Sequence, residues 1–178
     1  MKKARKGRSR LILVLGGAAS GKSQAALDLA GPGGPRAFVA TGQALDREMK
    51  ARIERHRATR SPDWETAEVP VDLAKWFNEN KHIYHVIVLD CLTLWLSNLK
   101  GKRLSDSAIS DVMINLLLAI RATKARVVIV SNELGLGLVP ATKPVRAFRD
   151  LAGRINQQVA AEADEVYLTI SGLPLRLK

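Results

Sequence analysis

Cysteine is nearly missing from this chain. Cys91 stands alone among 178 residues, so no internal disulfide forms and no cysteine-built metal site is available. A fold held without disulfides fits a reducing compartment, and the cytoplasm is the expected location. Aromatic residues are also scarce at 4%, too few for a surface that stacks nucleic-acid bases. Long apolar runs are lacking. The longest are strand-length, so no membrane-spanning segment is expected. Acids are missing from the first ten positions, which carry Lys2, Lys3, Arg5, Lys6, Arg8 and Arg10. These account for six of the net +11, leaving +5 for the rest. Residues 1–10 read as a solvated, disordered tail, and nucleic acid is not the expected partner. A secretory leader is not expected either. The apolar stretch behind the basic residues is only Leu11–Leu15, and cleavage beyond it would destroy the segment that follows.

That segment is Gly16-Gly17-Ala18-Ala19-Ser20-Gly21-Lys22-Ser23, which fits G-x-x-x-x-G-K-[ST] in full. The apolar run before it reads as a buried strand, and Gln24 to Ala30 are good helix formers. Strand, glycine-rich turn and helix together make a phosphate site. Glycines let backbone N–H groups approach a polyphosphate, and the helix N-terminus adds partial positive charge. Lys22 would bridge the β- and γ-phosphates, and the Ser23 hydroxyl would ligate Mg²⁺. The chain is expected to bind a nucleoside triphosphate.

Behind the phosphate loop, short apolar runs alternate with helical patterns. Strands are expected at residues 37–40, at 64–69 (an edge strand), at 86–89 and at 127–130. Helices are expected over about 44–60, 71–80, from 91 through 99, 106–124 and 145–164. The chain closes with two runs, 165–170 and 173–177, flanking Ser171-Gly172, a hairpin pattern. Residues 11–178 therefore read as a single α/β nucleotide-binding catalytic domain of P-loop type. Its sheet is mostly parallel and flanked by helices, with a C-terminal antiparallel hairpin.

In open parallel sheets ligands gather at the carboxyl ends of strands, so those ends enumerate the site. They are the phosphate loop, Thr41-Gly42-Gln43, Asp90-Cys91 and Ser131-Asn132-Glu133. Asp90, after four apolar residues, has the form of a Walker B carboxylate beside Ser23; a helix N-cap is compatible with the same position. Glu133 is read as a general base or metal partner, with a capping acid the competing reading. Thr41, Gln43 and Arg52 join the nucleotide-binding candidates by position. Cys91 reads as a small packing residue.

The helix after the second strand carries a histidine. At about 100° per residue, Leu45, Met49, Ile53 and His56 fall within roughly 80° of arc, and Arg52 borders that face. A lone histidine on an apolar face is usually a packing residue. Here Arg52, Arg55 and Arg57 favour a neutral imidazole, the form able to attack phosphorus.

Taken together, the motifs resemble one family, the bifunctional adenosylcobinamide kinase/adenosylcobinamide-phosphate guanylyltransferases. The matching blocks are GGAASGKS at 16–23, ATGQALDREMKARIERHR at 40–57, VLDCLTLWLSNL at 88–99 and the long run from SNELGLGLVP to the end, 131–178. The resemblance implies a RecA-like fold and a homotrimer with active sites between subunits. It implies phosphorylation of adenosylcobinamide by ATP or GTP with Mg²⁺, then transfer of GMP from GTP to adenosylcobinamide phosphate. It also implies that a guanylylated histidine carries the second step, at the position of His56. Ala19 and Gln24 stand where many members of the family have basic residues. Two other readings remain open on residues alone: a P-loop small-molecule kinase without the transferase step, and a nucleic-acid-associated NTPase gripping phosphates with its basic tail.

Overall fold

The computed structural model describes residues 9–58 and 61–178; the side chains of Arg52, Arg55, His56 and Ala58 lie outside that description. Its seven strands are β1 (Arg10–Gly16), β2 (Arg36–Ala40), β3 (Trp64–Glu68), β4 (Val86–Asp90), β5 (Arg126–Asn132), β6 (Glu165–Ile170) and β7 (Leu173–Arg176). The helices are α1 (Lys22–Ala30), α2 (Arg47–Ala58), α3 (Leu73–Glu79), α4 (Leu92–Gly101), α5 (Asp106–Ala122) and α6 (Lys143–Glu162). One sheet runs in the order β3-β2-β4-β5-β1-β6-β7, parallel throughout except for the β6–β7 hairpin.

Side-chain alternation divides each central strand between two cores. Leu11, Leu13, Val39, Ile87, Leu89, Val127 and Ile129 pack against α3, α4, α5 and α6. Ile12, Val14, Phe38, Val88, Val128 and Val130 face the other way, onto Ala25, Ala26 and Ala30 of α1. Burial on both faces is why these strands read as unbroken apolar runs. The expected hairpin is present, and its outer strand β7 is exposed throughout, with Pro174 on the sheet edge where no further ladder is needed. Among the described residues, no helix is long and apolar enough to cross a membrane.

Two local expectations differ. The helix expected from residue 44 begins at Arg47, because Asp46 caps it: its carboxylate accepts from the Met49 N–H at 2.7 Å and its carbonyl from Lys50. Leu45 is therefore left outside the helix and 82% exposed. At the start of the chain, Arg10 opens β1 rather than closing a tail, held by the Glu165 carboxylate. The basic stretch before Ser9 lies outside the described residues.

Candidate active site

The phosphate loop spans the end of β1 and the start of α1. Gly21 caps α1 in the left-handed region at φ 88°, and Ala19 is also left-handed at φ 53°. These turns lead the chain into Lys22, which is buried at 7% exposure and donates from Nζ to the Gly17 carbonyl at 2.9 Å. A lysine folded across its own loop lies where a triphosphate would meet it. One residue on, the Ser23 hydroxyl donates to Asp90 Oδ2 at 2.7 Å. Asp90 ends β4, two strands away from β1 in the sheet, so the fold itself brings hydroxyl and carboxylate together.

A cleft opens beside this pair, with a cavity volume of about 140 Å³. Lys22, Ser23, Asp90 and Asn132 form its polar end; Phe38, Met49, Ile53 and Leu94 are the larger apolar residues of its walls. Phe38, Ala40, Asp90 and Asn132 share one face of the sheet, the face that α1 covers. Beside them Cys91 is buried, and burial together with the Asp90 carboxylate pushes its thiol up to about 11. The Asp90–Cys91 peptide is cis.

The structure thus joins three of the expected site residues, Lys22, Ser23 and Asp90. Thr41, Gln43 and Glu133 are placed differently. Thr41 is fully buried, and its hydroxyl donates to the Cys91 carbonyl at 2.7 Å and accepts from the Cys91 N–H at 2.9 Å. It braces the cleft floor, and its hydroxyl is spent on that task. Gln43 is exposed beyond the end of β2. Glu133 turns its carboxylate to the Gly135 N–H at 2.9 Å, capping its own loop rather than entering the cleft. The residue before it enters instead. Asn132 is on the α1 face, and Glu133 alternates away. A period-two count along residues 128–132 carries that signal. Arg52 and His56 belong to α2 by backbone, with side chains outside the described residues. Met49 and Ile53, expected on the inward face of the same helix, line the cleft.

Ser23 and Asp90 offer hard oxygen donors at one point, which suits Mg²⁺, an ion that keeps most of its waters and takes one or two protein ligands. Among the described residues there is no cluster of three His, Cys, Asp or Glu side chains that would build a larger metal cage.

The chain is similar to known proteins. The model of the family described as "Cobinamide kinase / cobinamide phosphate guanyltransferase" matches residues 12–177. The "Bifunctional adenosylcobalamin biosynthesis protein CobU" of Escherichia coli (strain K12) is 39% identical, over 94% of this chain and 99% of the relative. The "Bifunctional adenosylcobalamin biosynthesis protein CobP" of Pseudomonas aeruginosa is 40% identical, over 93% and 96%. Among solved structures, the KaiC-like protein PH0186 of Pyrococcus horikoshii OT3 superposes with a TM-score of 0.51, covering 90% of this chain and 71% of that one. At 12% identity that likeness concerns the fold alone.

Proposed function

The chain belongs to the cobinamide kinase / cobinamide phosphate guanyltransferase family, and we propose from that premise that its phosphate-loop cleft serves two reactions in turn. It is a bifunctional kinase and guanylyltransferase of cobalamin biosynthesis. In the kinase step a hydroxyl of adenosylcobinamide attacks the γ-phosphorus of ATP or GTP. The new P–O bond forms as the bond to the β,γ-bridging oxygen breaks, the nucleoside diphosphate leaves, and the hydroxyl proton passes to solvent. Lys22 and the loop N–H groups hold the β- and γ-phosphates in line for that displacement. Ser23 and Asp90 would hold Mg²⁺, which when bound neutralises charge on those phosphates.

In the transferase step an imidazole nitrogen of His56 attacks the α-phosphorus of GTP. A P–N bond forms, pyrophosphate departs, and the phosphate oxygen of adenosylcobinamide phosphate then displaces the imidazole. Adenosylcobinamide-GDP is released and the histidine is regenerated. His56 lies three residues beyond Ile53, a wall of the cleft, on the same helix. We assign the enzyme to the cytoplasm, where both reactions draw on nucleoside triphosphates, and to a homotrimer, which light scattering of the purified protein would test.

The observation that most supports the reading is the Ser23–Asp90 contact beside Lys22, which brings the start of α1 and the end of β4 together as a triphosphate and metal site would require. The test uses GTP labelled at the α-phosphate with Mg²⁺. The wild type is expected to acquire acid-labile, base-stable label, and His56→Ala to acquire none. Lys22→Ala is expected to lose phosphorylation of adenosylcobinamide by at least about a hundredfold. Label persisting in the His56 variant removes that residue from the mechanism. Kinase turnover with no label in the wild type leaves a kinase alone.

A further inference from the structure

Asn132 is the last residue of β5, and β5 lies between β4, which ends on Asp90, and β1, which delivers the phosphate loop. Its register partner is Gly16, the first residue of the loop motif. Its backbone is fixed on both sides. The N–H donates to Thr93 Oγ1 at 2.9 Å, and the carbonyl accepts from Asn156 Nδ2 at 3.1 Å. Thr93 and Asn156 are themselves buried, so the strand end is anchored from α4 and from α6. The carboxamide is treated differently from the backbone. It lines the cleft with Lys22, Ser23 and Asp90, and makes no hydrogen bond to a described residue. A side chain on a doubly anchored backbone, with its amide left over at the polar end of a cleft, is preorganised for a ligand.

Charge identifies what that ligand offers. The metal-binding pair Ser23–Asp90 and the loop lysine fix where the β- and γ-phosphates lie. The strand between them carries a neutral group with two N–H donors, which adds no repulsion to a polyanion. We propose that Asn132 donates from Nδ2 to the γ-phosphoryl group, distinguishing triphosphate from diphosphate and holding the transferable group in line. The assignment rests on the kinase reading above and deepens it, adding a phosphoryl-recognising residue to the machinery. It also gives the exposed loop after β5 a rigid base, since Asn132 adjoins Glu133 and the loop that Glu133 caps.

The test compares binding of the β,γ-imido triphosphate and the diphosphate of the nucleotide, each with Mg²⁺, in the wild type, Asn132→Ala and Asn132→Asp. Loss of one charge-assisted hydrogen bond is expected to weaken triphosphate binding about tenfold in Asn132→Ala. Diphosphate binding should stay within about twofold, and kinase kcat should fall by about ten- to a hundredfold. Asn132→Asp keeps the shape but puts a carboxylate against the phosphate, and is expected to discriminate against the triphosphate more strongly still. Equal effects on both nucleotides, or none on either, would overturn the assignment. Unchanged thermal unfolding and retained diphosphate binding show that each variant is folded. Failure of the wild type to phosphorylate adenosylcobinamide would instead strike the kinase reading, and the nucleotide comparison would stand apart from it.

Discussion

Burial and then the adjacent Asp90 carboxylate raise the Cys91 thiol from 9.0 to about 11. A shift of that size leaves about a hundredfold less thiolate at neutral pH than an ordinary cysteine carries. Cys91 lines the cleft, yet its chemistry is switched off. Alkylation of native Cys91 by iodoacetamide at pH 7.5 is therefore expected to be at least about a hundredfold slower than in the urea-unfolded chain. The rate should climb about tenfold per pH unit up to pH 10. A native rate matching the unfolded one would show that the thiol is neither buried nor suppressed. Thr41 completes the picture: both bonds of its hydroxyl go to the Cys91 backbone, so the two residues form one brace between β2 and β4. From the sequence Thr41 read as a ligand, because a hydroxyl at a strand's end looks the same whether it meets a phosphate or a neighbouring peptide.

At the scale of elements, the phosphate loop depends on the far end of the chain. The Gly172 N–H of the β6–β7 turn donates to the Ser20 carbonyl at 2.8 Å, so the hairpin leans on the loop. A methyl group at Gly21 would stand 2.9 Å from the Gly172 Cα, and Gly21 is already left-handed. At Gly17 a methyl group would meet nothing within 4 Å, and the backbone there is unexceptional. Gly21→Ala is accordingly expected to cost about 1–2 kcal/mol in stability and to push the hairpin off the loop. Gly17→Ala should unfold like the wild type; thermal denaturation of the two variants side by side checks this, and equal melting would refute the coupling. The motif's spelling requires Gly21 and leaves Gly17 free, but it does not show the contact behind that difference, which lies in a turn about 150 residues away. Strands were legible because burial on both faces writes them as apolar runs, and the hairpin because Ser-Gly interrupts two such runs. The start of α2 lies at Arg47 rather than at the expected residue 44 because the capping carboxylate of Asp46 outweighs an apolar period. At Glu133 the sequence leaves a base and a capping acid open, and the carboxylate accepts from the Gly135 N–H; strand alternation, not charge, decides that Asn132 lines the cleft.

Across the whole molecule the sheet has two ends with separate duties. The carboxyl end holds the cleft. The amino end holds a charged cluster that ties the first strand to the last two. Arg10 Nε donates to Glu165 Oε1 at 2.6 Å, the Tyr167 hydroxyl donates to Glu165 Oε2 at 2.8 Å, and Arg176 lies 3.7 Å from that second oxygen. Burial pushes the Glu165 carboxyl up, but the Tyr167 hydroxyl and the two guanidiniums outweigh it and hold the group below its ordinary 4.5. A carboxyl depressed in the folded state binds its proton more readily once unfolded. Its contribution to stability is therefore complete above pH 4.5 and is lost as pH falls through the lower folded value. Glu165→Gln keeps the shape and removes the charge. At pH 7 the variant is expected to be less stable by about 1–2 kcal/mol, a figure reduced because Arg10 is half exposed. Below pH 4.5 the wild-type melting temperature should fall more steeply than the variant's until the two curves approach each other. Parallel curves from pH 3 to 7 would mean the cluster carries no linked proton. Because the cluster lies at the end of the sheet away from Lys22 and Asp90, nucleotide affinity at pH 7 should be the same in both proteins. A loss of affinity in Glu165→Gln would show instead that strain travels along β1 and β6 from one end of the sheet to the phosphate loop.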